Sequence, residues 1–359
     1  MARIWSATTS GDELGVLYEE VAAAARSGCR VDVVAGLAQA PVLPVVAEVI
    51  ASGSLGGMTS PLATEAAPFG RVLTAMVTPF TREGELDLDG VQKVATYLVD
   101  QGSDGLVVSG TTGESPTTTV DEDGRALRAV LEAVGDRATV VAGVGTNDTR
   151  HSVELAEQAK KAGAHGLLLV TPYYSKPPQS GILAHIEEVA RAGDDTPVML
   201  YDIPGRTGVQ IALETYVALT DNPLIIAMKD AVGDFNRGAW LMHETGIRIY
   251  SGDDPVNLPW LAMGASGIVS VVSHVAARRY ADMIAAVDAG DLPTARLIND
   301  QLLPAVQAMM THTQGVITSK AALQLLGVLE HRTTRAPLPE ATDEEVAIVR
   351  DGLVASGLL

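Results

Sequence analysis

Apolar and polar positions follow two patterns along most of the chain. From residue 71 onward, short unbroken apolar runs are followed by longer stretches in which apolar residues recur every three or four positions. The first pattern predicts strands buried on both faces, as in a parallel sheet, and the second predicts amphipathic helices. The predicted strands are Val72–Thr78, Gly105–Ser109, Thr139–Val144, Gly166–Thr171, Pro197–Ile203, Leu224–Lys229, Ile247–Ser251 and Gly267–Val272.

A predicted helix follows each of these strands. Eight strand–helix units within about 220 residues favour a (β/α)₈ TIM barrel of the α/β class over a doubly wound sheet, which also alternates. Three further helices predict a C-terminal helical appendage. The predicted helices are Leu88–Gln101, Asp121–Val134, Thr149–Ala162, Gly181–Ala192, Leu213–Thr220, Asp234–Glu244, Pro255–Met263 and Ala276–Ala289, then Leu292–Met310, Thr318–Leu326 and Asp343–Ala355.

The first 57 residues do not continue this pattern. A helix over Glu13–Ser27 and a strand over Val31–Ala35 are predicted, and a Ser/Thr/Pro/Ala-rich linker runs to Pro68. Another interpretation is that translation starts at Met58. We therefore predict an N-terminal extension of unassigned fold over residues 1–68, a catalytic barrel over 69–290 and a helical region over 291–359.

Composition and charge narrow the function classes. The 359 residues are 47% hydrophobic, which fits a globular protein, and the net charge of −19 argues against nucleic-acid binding and adsorption to anionic membranes. Cys29 is the only cysteine and the histidines form no metal-binding spacing, so we expect neither an intrachain disulfide nor a metal site. No basic segment leads into an apolar run at the start, so we expect a cytoplasmic protein.

One lysine ends a predicted buried strand. Lys229 follows five apolar residues, whereas the other five lysines fall on predicted helices or in a loop. An isolated strand-end lysine commonly extends to solvent. A buried lysine instead loses its proton more readily, and its neutral amine can attack a ketone to form a Schiff base. The neighbouring strand ends decide between these alternatives.

Polar motifs follow several of the other strands. The turn Ser109–Ser115 places two hydroxyls between two glycines and exposes backbone N–H groups that can hold a carboxylate. Tyr201 can transfer protons to a carbonyl oxygen, and Arg206 can bind a carboxylate through two hydrogen bonds. Asp253 and Asp254 precede Pro255, so we expect them to cap a helix rather than bind a metal.

Four ordered motifs resemble the dihydrodipicolinate synthase family of pyruvate-dependent class I aldolases, which also includes N-acetylneuraminate lyase. They are Gly110–Ser115 (GTTGES), Thr171–Tyr174 (TPYY), Tyr201–Gly208 (YDIPGRTG) and Met228–Asp230 (MKD), and the resemblance extends from Phe69 to Leu359. It implies a synthase that condenses pyruvate with aspartate-4-semialdehyde, and it implies no cofactor.

The resemblance implies catalytic roles for four residues. Lys229 would form the Schiff base with pyruvate, and Tyr201 would transfer protons together with Thr111. Tyr174 would complete the proton relay in the active site of a neighbouring subunit. A homo-oligomer follows from this, and the family expectation is a tetramer built from two dimers.

The resemblance also implies substrate-binding roles. Thr112 would hold the pyruvate carboxylate opposite the backbone of Val269, and Gly110 would line the same site. Arg206 would bind the carboxylate of the semialdehyde, which favours this acceptor over a sugar. Another Schiff-base aldolase acting on a 2-keto-3-deoxy sugar acid, and a non-catalytic binding protein on the same barrel, stay open.

The motifs depart from the family in two ways. Asp202 occupies a position that is Asn in many relatives. Val120, Asp123 and His151 occupy positions that carry His, His and Glu in relatives inhibited by lysine, although Ser115, Asn147 and Tyr173 are kept. We therefore predict weak or absent feedback inhibition by lysine.

Overall fold

Eight parallel strands close into a barrel in the computed structural model, which describes residues 2–3, 31–32 and 67–359. Each strand pairs with its sequence neighbours, and the eighth pairs with the first to complete the ring. The predicted barrel is confirmed. The strands are β1 (Val72–Ala75), β2 (Gly105–Val108), β3 (Thr139–Gly143), β4 (Gly166–Val170), β5 (Val198–Asp202), β6 (Ile225–Asp230), β7 (Arg248–Ser251) and β8 (Gly267–Ser270).

Helices alternate with these strands, and three more follow the eighth unit. Several begin where the sequence supplies a capping side chain: Thr119 and Glu122, for example, form a reciprocal capping box. Besides the single turn Pro204–Thr207, the α-helices are α1 (Leu88–Asp100), α2 (Val120–Val134), α3 (Thr149–Ala162), α4 (Gln179–Ala192), α5 (Leu213–Leu219), α6 (Phe235–Thr245), α7 (Asn257–Ala262), α8 (Ser273–Asp288), α9 (Leu292–Met310), α10 (Gly315–Leu325) and α11 (Asp343–Ala355).

The predicted and observed bounds differ by up to three residues, for example at the carboxyl end of β1 and at the amino ends of α8 and α10. The strand predicted to reach Thr78 ends at Ala75, although the residues between them are buried. The Val77 N–H donates to His274 instead, and the Thr78 hydroxyl donates to the Gly113 carbonyl. These tertiary hydrogen bonds replace the pairing in the sheet, so the strand ends early. The apolar character of the segment does not predict them.

Both faces of the sheet are buried, as the unbroken apolar runs predict. Inside the barrel, Phe69 and Tyr250 meet edge to face, and the Phe69 N–H donates to the Tyr250 hydroxyl at 3.1 Å. A larger apolar layer lies between the strands and the surrounding helices, and helices α8, α9 and α11 share a third apolar cluster with β1 and β8. The barrel is thus filled at its amino end, and its carboxyl end is left for a site.

The chain divides into two units, Met1–Ser60 and Pro61–Leu359. In the first, Ala2–Arg3 and Val31–Asp32 pair as short parallel strands, which overlaps the start of the predicted strand Val31–Ala35. The rest of that strand and the predicted helix Glu13–Ser27 lie outside the described residues. The predicted domain boundaries at residues 68 and 290 stay predictions. No helix within the described ranges has the length and apolarity needed to cross a membrane.

Candidate active site

A cleft of about 520 Å³ opens at the carboxyl ends of the barrel strands. Five of the eight predicted site residues line it: Thr111, Thr112, Tyr201, Arg206 and Lys229. They come from three different strand ends, which a closed parallel barrel brings to one rim. Surface grooves of about 620 and 680 Å³ lie elsewhere, and none of the predicted site residues lines either of them.

Lys229 lies inside the barrel at the end of β6, with only 6% of its surface exposed. Its Nζ lies 4.2 Å from the centroid of the Tyr201 ring, because the two residues are direct register partners on β5 and β6. Gly252 makes room for this amine, since a Cβ at that position would lie 2.7 Å from Lys229 Cγ. Of the two alternatives for this residue, the structure shows the buried one.

Burial lowers the pKa of the Lys229 amine to about 8. Within that net value, the carboxylates of Asp254 and Asp253 raise the pKa and Arg206 lowers it. Since burial disfavours the charged ammonium, a useful fraction of the amine is neutral near pH 7. A neutral, buried amine beside a phenol is the arrangement that nucleophilic attack on a carbonyl requires.

Tyr201 remains a phenol throughout the physiological pH range. Burial raises its pKa to about 12, and Asp253 raises that pKa as well, while Arg206 and the Thr111 hydroxyl lower it. A protonated phenol over the lysine can donate a proton to a leaving or developing oxygen. Tyr201, Thr111 and Lys229, which the resemblance assigns to one site, all line the cleft.

The turn after β2 presents Thr111 and Thr112 to the cleft. Backbone hydrogen bonds from Gly113 to Gly110 and from Glu114 to Thr111 close the turn, and Thr78 binds the Gly113 carbonyl. Ser109 and Glu114 both have left-handed backbone angles, with φ of 54° and 58°. Such angles in non-glycine residues persist only where surrounding contacts enforce them.

Three predicted site residues lie outside this cleft. Gly110 lines an adjoining cavity of about 210 Å³ together with Tyr173. Val269 is buried within β8, and Val271 lines the cleft instead. Tyr174 is 87% exposed and has a left-handed φ of 70°, so within one subunit it contacts neither Lys229 nor Tyr201.

The predicted capping role of the acidic pair before Pro255 is wrong. Asp253 makes no capping hydrogen bond, and it lines the cleft. Asp254 is 3% exposed and accepts hydrogen bonds from the side chains of Asn257 and Ser270. It also accepts the N–H groups of Val271 and Val272 at 2.8 and 3.1 Å, which joins the loops after β7 and β8. Tertiary donors have displaced the local cap.

A buried ionic cluster lies behind the two reactive residues. Asp202 follows Tyr201 and Asp230 follows Lys229, so strand alternation places both carboxylates on the outer face of the barrel. Arg237 from α6 lies between them, 2.9 Å from Asp202 and 3.9 Å from Asp230. Burial raises the pKa of Asp202 to about 6, and Asp230 raises it further, although Arg237 opposes both effects.

One side of the cleft is formed by C-terminal residues that the sequence patterns do not predict there. Gln314, at the start of α10, accepts a hydrogen bond from the Arg206 guanidinium at 3.0 Å. Pro337 and Leu338 line the same side. Glu114, in the turn after β2, forms a buried ion pair with Lys320 of α10. The motif order along the chain gives no sign of these contacts, which join segments more than 100 residues apart.

No group of three or more His, Cys, Asp and Glu side chains in the described part of the chain is placed to hold a metal ion. The functional groups that line the cleft at this rim include the amine of Lys229, the phenol of Tyr201, the hydroxyls of Thr111 and Thr112 and the guanidinium of Arg206. Such a set suits a carbonyl substrate that also carries carboxylates.

A family model, curated relatives and solved structures all place the chain in the same family. The chain matches the model of the Dihydrodipicolinate synthetase family over residues 68–355. A 4-hydroxy-tetrahydrodipicolinate synthase of Kineococcus radiotolerans is 61% identical over 291 residues, which cover 81% of this chain and 94% of the relative. The structure of a DHDPS from Cyanidioschyzon merolae with lysine bound has a TM-score of 0.78 at 40% identity, covering 82% of this chain and 100% of that one.

A second solved structure that is similar to this chain contains pyruvate. The chloride-inhibited dihydrodipicolinate synthase of Acinetobacter baumannii, complexed with pyruvate, has a TM-score of 0.77 at 32% identity and covers 81% of this chain and 100% of its own. Every barrel strand and every helix named above lies within the residues that the family model matches.

Proposed function

The chain belongs to the dihydrodipicolinate synthetase family, and on this basis we propose that it is a 4-hydroxy-tetrahydrodipicolinate synthase. It is a lyase that condenses pyruvate with L-aspartate-4-semialdehyde through a lysine Schiff base, the first committed step of diaminopimelate and lysine biosynthesis. The observation that carries the mechanism is the buried Lys229 amine, with a pKa of about 8, beneath the Tyr201 ring.

The first half of the reaction takes place at Lys229. Its neutral amine adds to the ketone carbon of pyruvate, and Tyr201 donates a proton to the departing hydroxyl, so water leaves and a protonated imine forms. Thr112 and backbone N–H groups of its turn, which begins at Gly110, hold the pyruvate carboxylate opposite the backbone of Val269. The imine withdraws electrons from the adjacent methyl group, which loses a proton to the phenolate left on Tyr201, so an enamine forms and Tyr201 regains its proton.

The second half joins the two substrates. The enamine carbon attacks the aldehyde carbon, and a proton delivered through Tyr201 and Thr111 neutralises the new alkoxide. The amine of the semialdehyde then adds to the imine carbon, which closes the ring and releases Lys229. No organic cofactor is required, because the imine itself withdraws the electrons.

Arg206 orients the second substrate. Its guanidinium faces the cleft and donates to Gln314, which leaves other N–H groups free for a carboxylate. A substrate with a carboxylate at the far end from its aldehyde matches this cation, whereas a neutral sugar hydroxyl gains less from it.

Tyr174 acts in a neighbouring subunit. Its exposed ring and left-handed backbone support an interface role, because an aromatic ring that is 87% exposed in one subunit gains a partner on association. The active assembly is at least a dimer, and we propose a tetramer of two dimers in the cytoplasm. We also propose that residues 1–68 are an N-terminal extension and linker, and that residues 291–359 are the helical region that completes the cleft.

A substrate panel tests this function. Purified protein receives pyruvate with L-aspartate-4-semialdehyde or with the aldehydes that sugar-acid aldolases release. We expect turnover with the semialdehyde, and an Arg206→Met variant that loses affinity for it while still forming the pyruvate imine. Preferential turnover of a sugar aldehyde would assign the protein to another pyruvate aldolase, and no turnover with any acceptor would contradict an enzyme of this class.

A further inference from the structure

An ion pair that the proposed mechanism does not use is buried beside the cleft. Lys320 Nζ lies 2.5 Å from Glu114 Oε1, and the two side chains are 1% and 0% exposed. Burying two charges is unfavourable unless hydrogen bonds satisfy both. The contacts around this pair therefore indicate what it holds in place.

Two hydrogen bonds and an aromatic ring surround the Lys320 amine. Besides Glu114, the amine donates to the Thr333 carbonyl at 2.7 Å and lies 4.3 Å from the centroid of the Phe80 ring. Burial lowers the pKa of the Lys320 amine, whereas the adjacent Glu114 carboxylate raises it and favours the charged ammonium. Lys320 does not line the cleft, and it is therefore an anchor rather than a second nucleophile.

Glu114 joins the turn after β2 to the C-terminal region. Its second carboxylate oxygen accepts the Arg335 N–H at 2.9 Å. The Arg335 guanidinium in turn binds the Thr117 carbonyl at 3.0 Å and both oxygens of Glu122, the closer at 2.6 Å. Two cations from beyond residue 310 thus hold both ends of the short segment between β2 and α2.

The clamped segment needs such support. Glu114 has a left-handed φ of 58° and closes the turn that carries Thr111 and Thr112 into the cleft. A non-glycine residue in this region is strained, and the surrounding contacts must offset that strain. If the carboxylate lost its partners, the turn would relax toward other backbone angles and displace the two hydroxyls.

We propose that Lys320 is a positioning residue, which acts through its ion pair with Glu114 to hold the Thr111–Thr112 turn in the geometry that binds the carboxylate of the 2-oxo acid substrate. This rests on the proposed function for the identity of the substrate, but the link between α10 and the turn does not. It also gives the C-terminal helices a function: they fix part of the binding site rather than only covering the barrel.

The first test compares Lys320→Met with Lys160→Met. Lys160 forms an ion pair of the same length, 2.5 Å, with Asp194 on the surface, and neither of these residues lines the cleft. We expect Lys320→Met to raise the KM for pyruvate by about 10- to 100-fold, since a displacement of about 1 Å at a reacting centre has effects of this size. The KM for the aldehyde should change far less, and Lys160→Met should change neither.

A double variant keeps the proposal testable if Lys320→Met does not fold. Lys320→Met leaves an unpaired buried carboxylate, whereas Lys320→Met combined with Glu114→Gln removes both charges and restores stability. The double variant should still show the raised KM for pyruvate, because the turn has lost its anchor. A stable double variant with wild-type KM values for both substrates would overturn the proposal.

Hydrogen exchange separates this proposal from the proposed function. We expect amides of residues 109–119 to exchange at least tenfold faster in the double variant than in Lys160→Met, with protection of the barrel strands unchanged. That measurement needs no substrate, so a wild-type protein inactive toward pyruvate would contradict the function alone. Unchanged exchange in this segment would contradict the positioning role alone.

Discussion

The pH dependence of imine formation follows directly from the burial of Lys229. Its pKa is about 8, against 10.5 for an ordinary lysine. At pH 7 about one molecule in ten therefore has a neutral amine, compared with about one in 3,000 for an unperturbed lysine. The enclosure thus increases the concentration of nucleophile by about 300-fold, equivalent to about 3.4 kcal/mol.

Rapid-quench trapping measures this effect. Protein and pyruvate are mixed at pH values from about 6 to 10, and each sample is quenched into borohydride at one common pH, so that only imine formation depends on the mixing pH. The trapping rate should rise about tenfold per pH unit below pH 8 and level off above it. Tyr201, with a pKa of about 12, does not titrate in this range.

Two charge changes should move the midpoint in opposite directions. Asp253 favours the ammonium form, so Asp253→Asn should lower the midpoint, whereas Arg206 disfavours that form, so Arg206→Met should raise it. A wild-type midpoint near 10.5 would refute the argument from burial. Shifts of both variants in the same direction would refute the electrostatic argument.

Three further predictions concern stability and regulation. His274 is fully buried, accepts the Val77 N–H and has a pKa lowered by burial to about 4. Because the ring in the unfolded chain titrates near 6.5, about 3 kcal/mol of unfolding free energy should be present above pH 6.5 and lost as the pH falls to 4. Urea titrations at several pH values measure this loss, and a His274→Gln variant should lack it. Removing the cation between two buried carboxylates in Arg237→Met should cost about 3–5 kcal/mol of unfolding free energy, whereas Asp202→Asn, which keeps an acceptor, should cost far less. Lysine should inhibit weakly or not at all, and an inhibition titration showing strong cooperative inhibition would contradict this.

The barrel could be predicted because its strands are buried on both faces. Unbroken apolar runs such as Leu224–Met228 report that burial directly, and the regular alternation with helices leaves few other arrangements. The predicted residues Lys229, Tyr201, Thr111 and Arg206 share one cleft for the same reason, since each follows a parallel strand and all the strands end at one rim.

The remaining features depend on contacts that local patterns do not encode. Asp254 follows the rule for a helix cap, yet tertiary N–H donors bind its carboxylate. Lys320 looks like a surface lysine on a helix, although it is buried against a carboxylate 206 positions earlier. A buried cation needs a specific partner, and sequence spacing over that distance cannot identify one. The predicted role of Tyr174 requires a second subunit.

Intact-mass measurement after incubation with pyruvate and borohydride tests the central claim most directly. Wild-type protein should gain one reduced pyruvate adduct per subunit, located by peptide mapping at Lys229, and Lys229→Ala should gain none. Lys176→Ala, which removes another lysine near the rim but outside the cleft lining, should react like wild type. An unmodified wild type, or an adduct that persists in Lys229→Ala, would contradict a Schiff-base mechanism at this lysine.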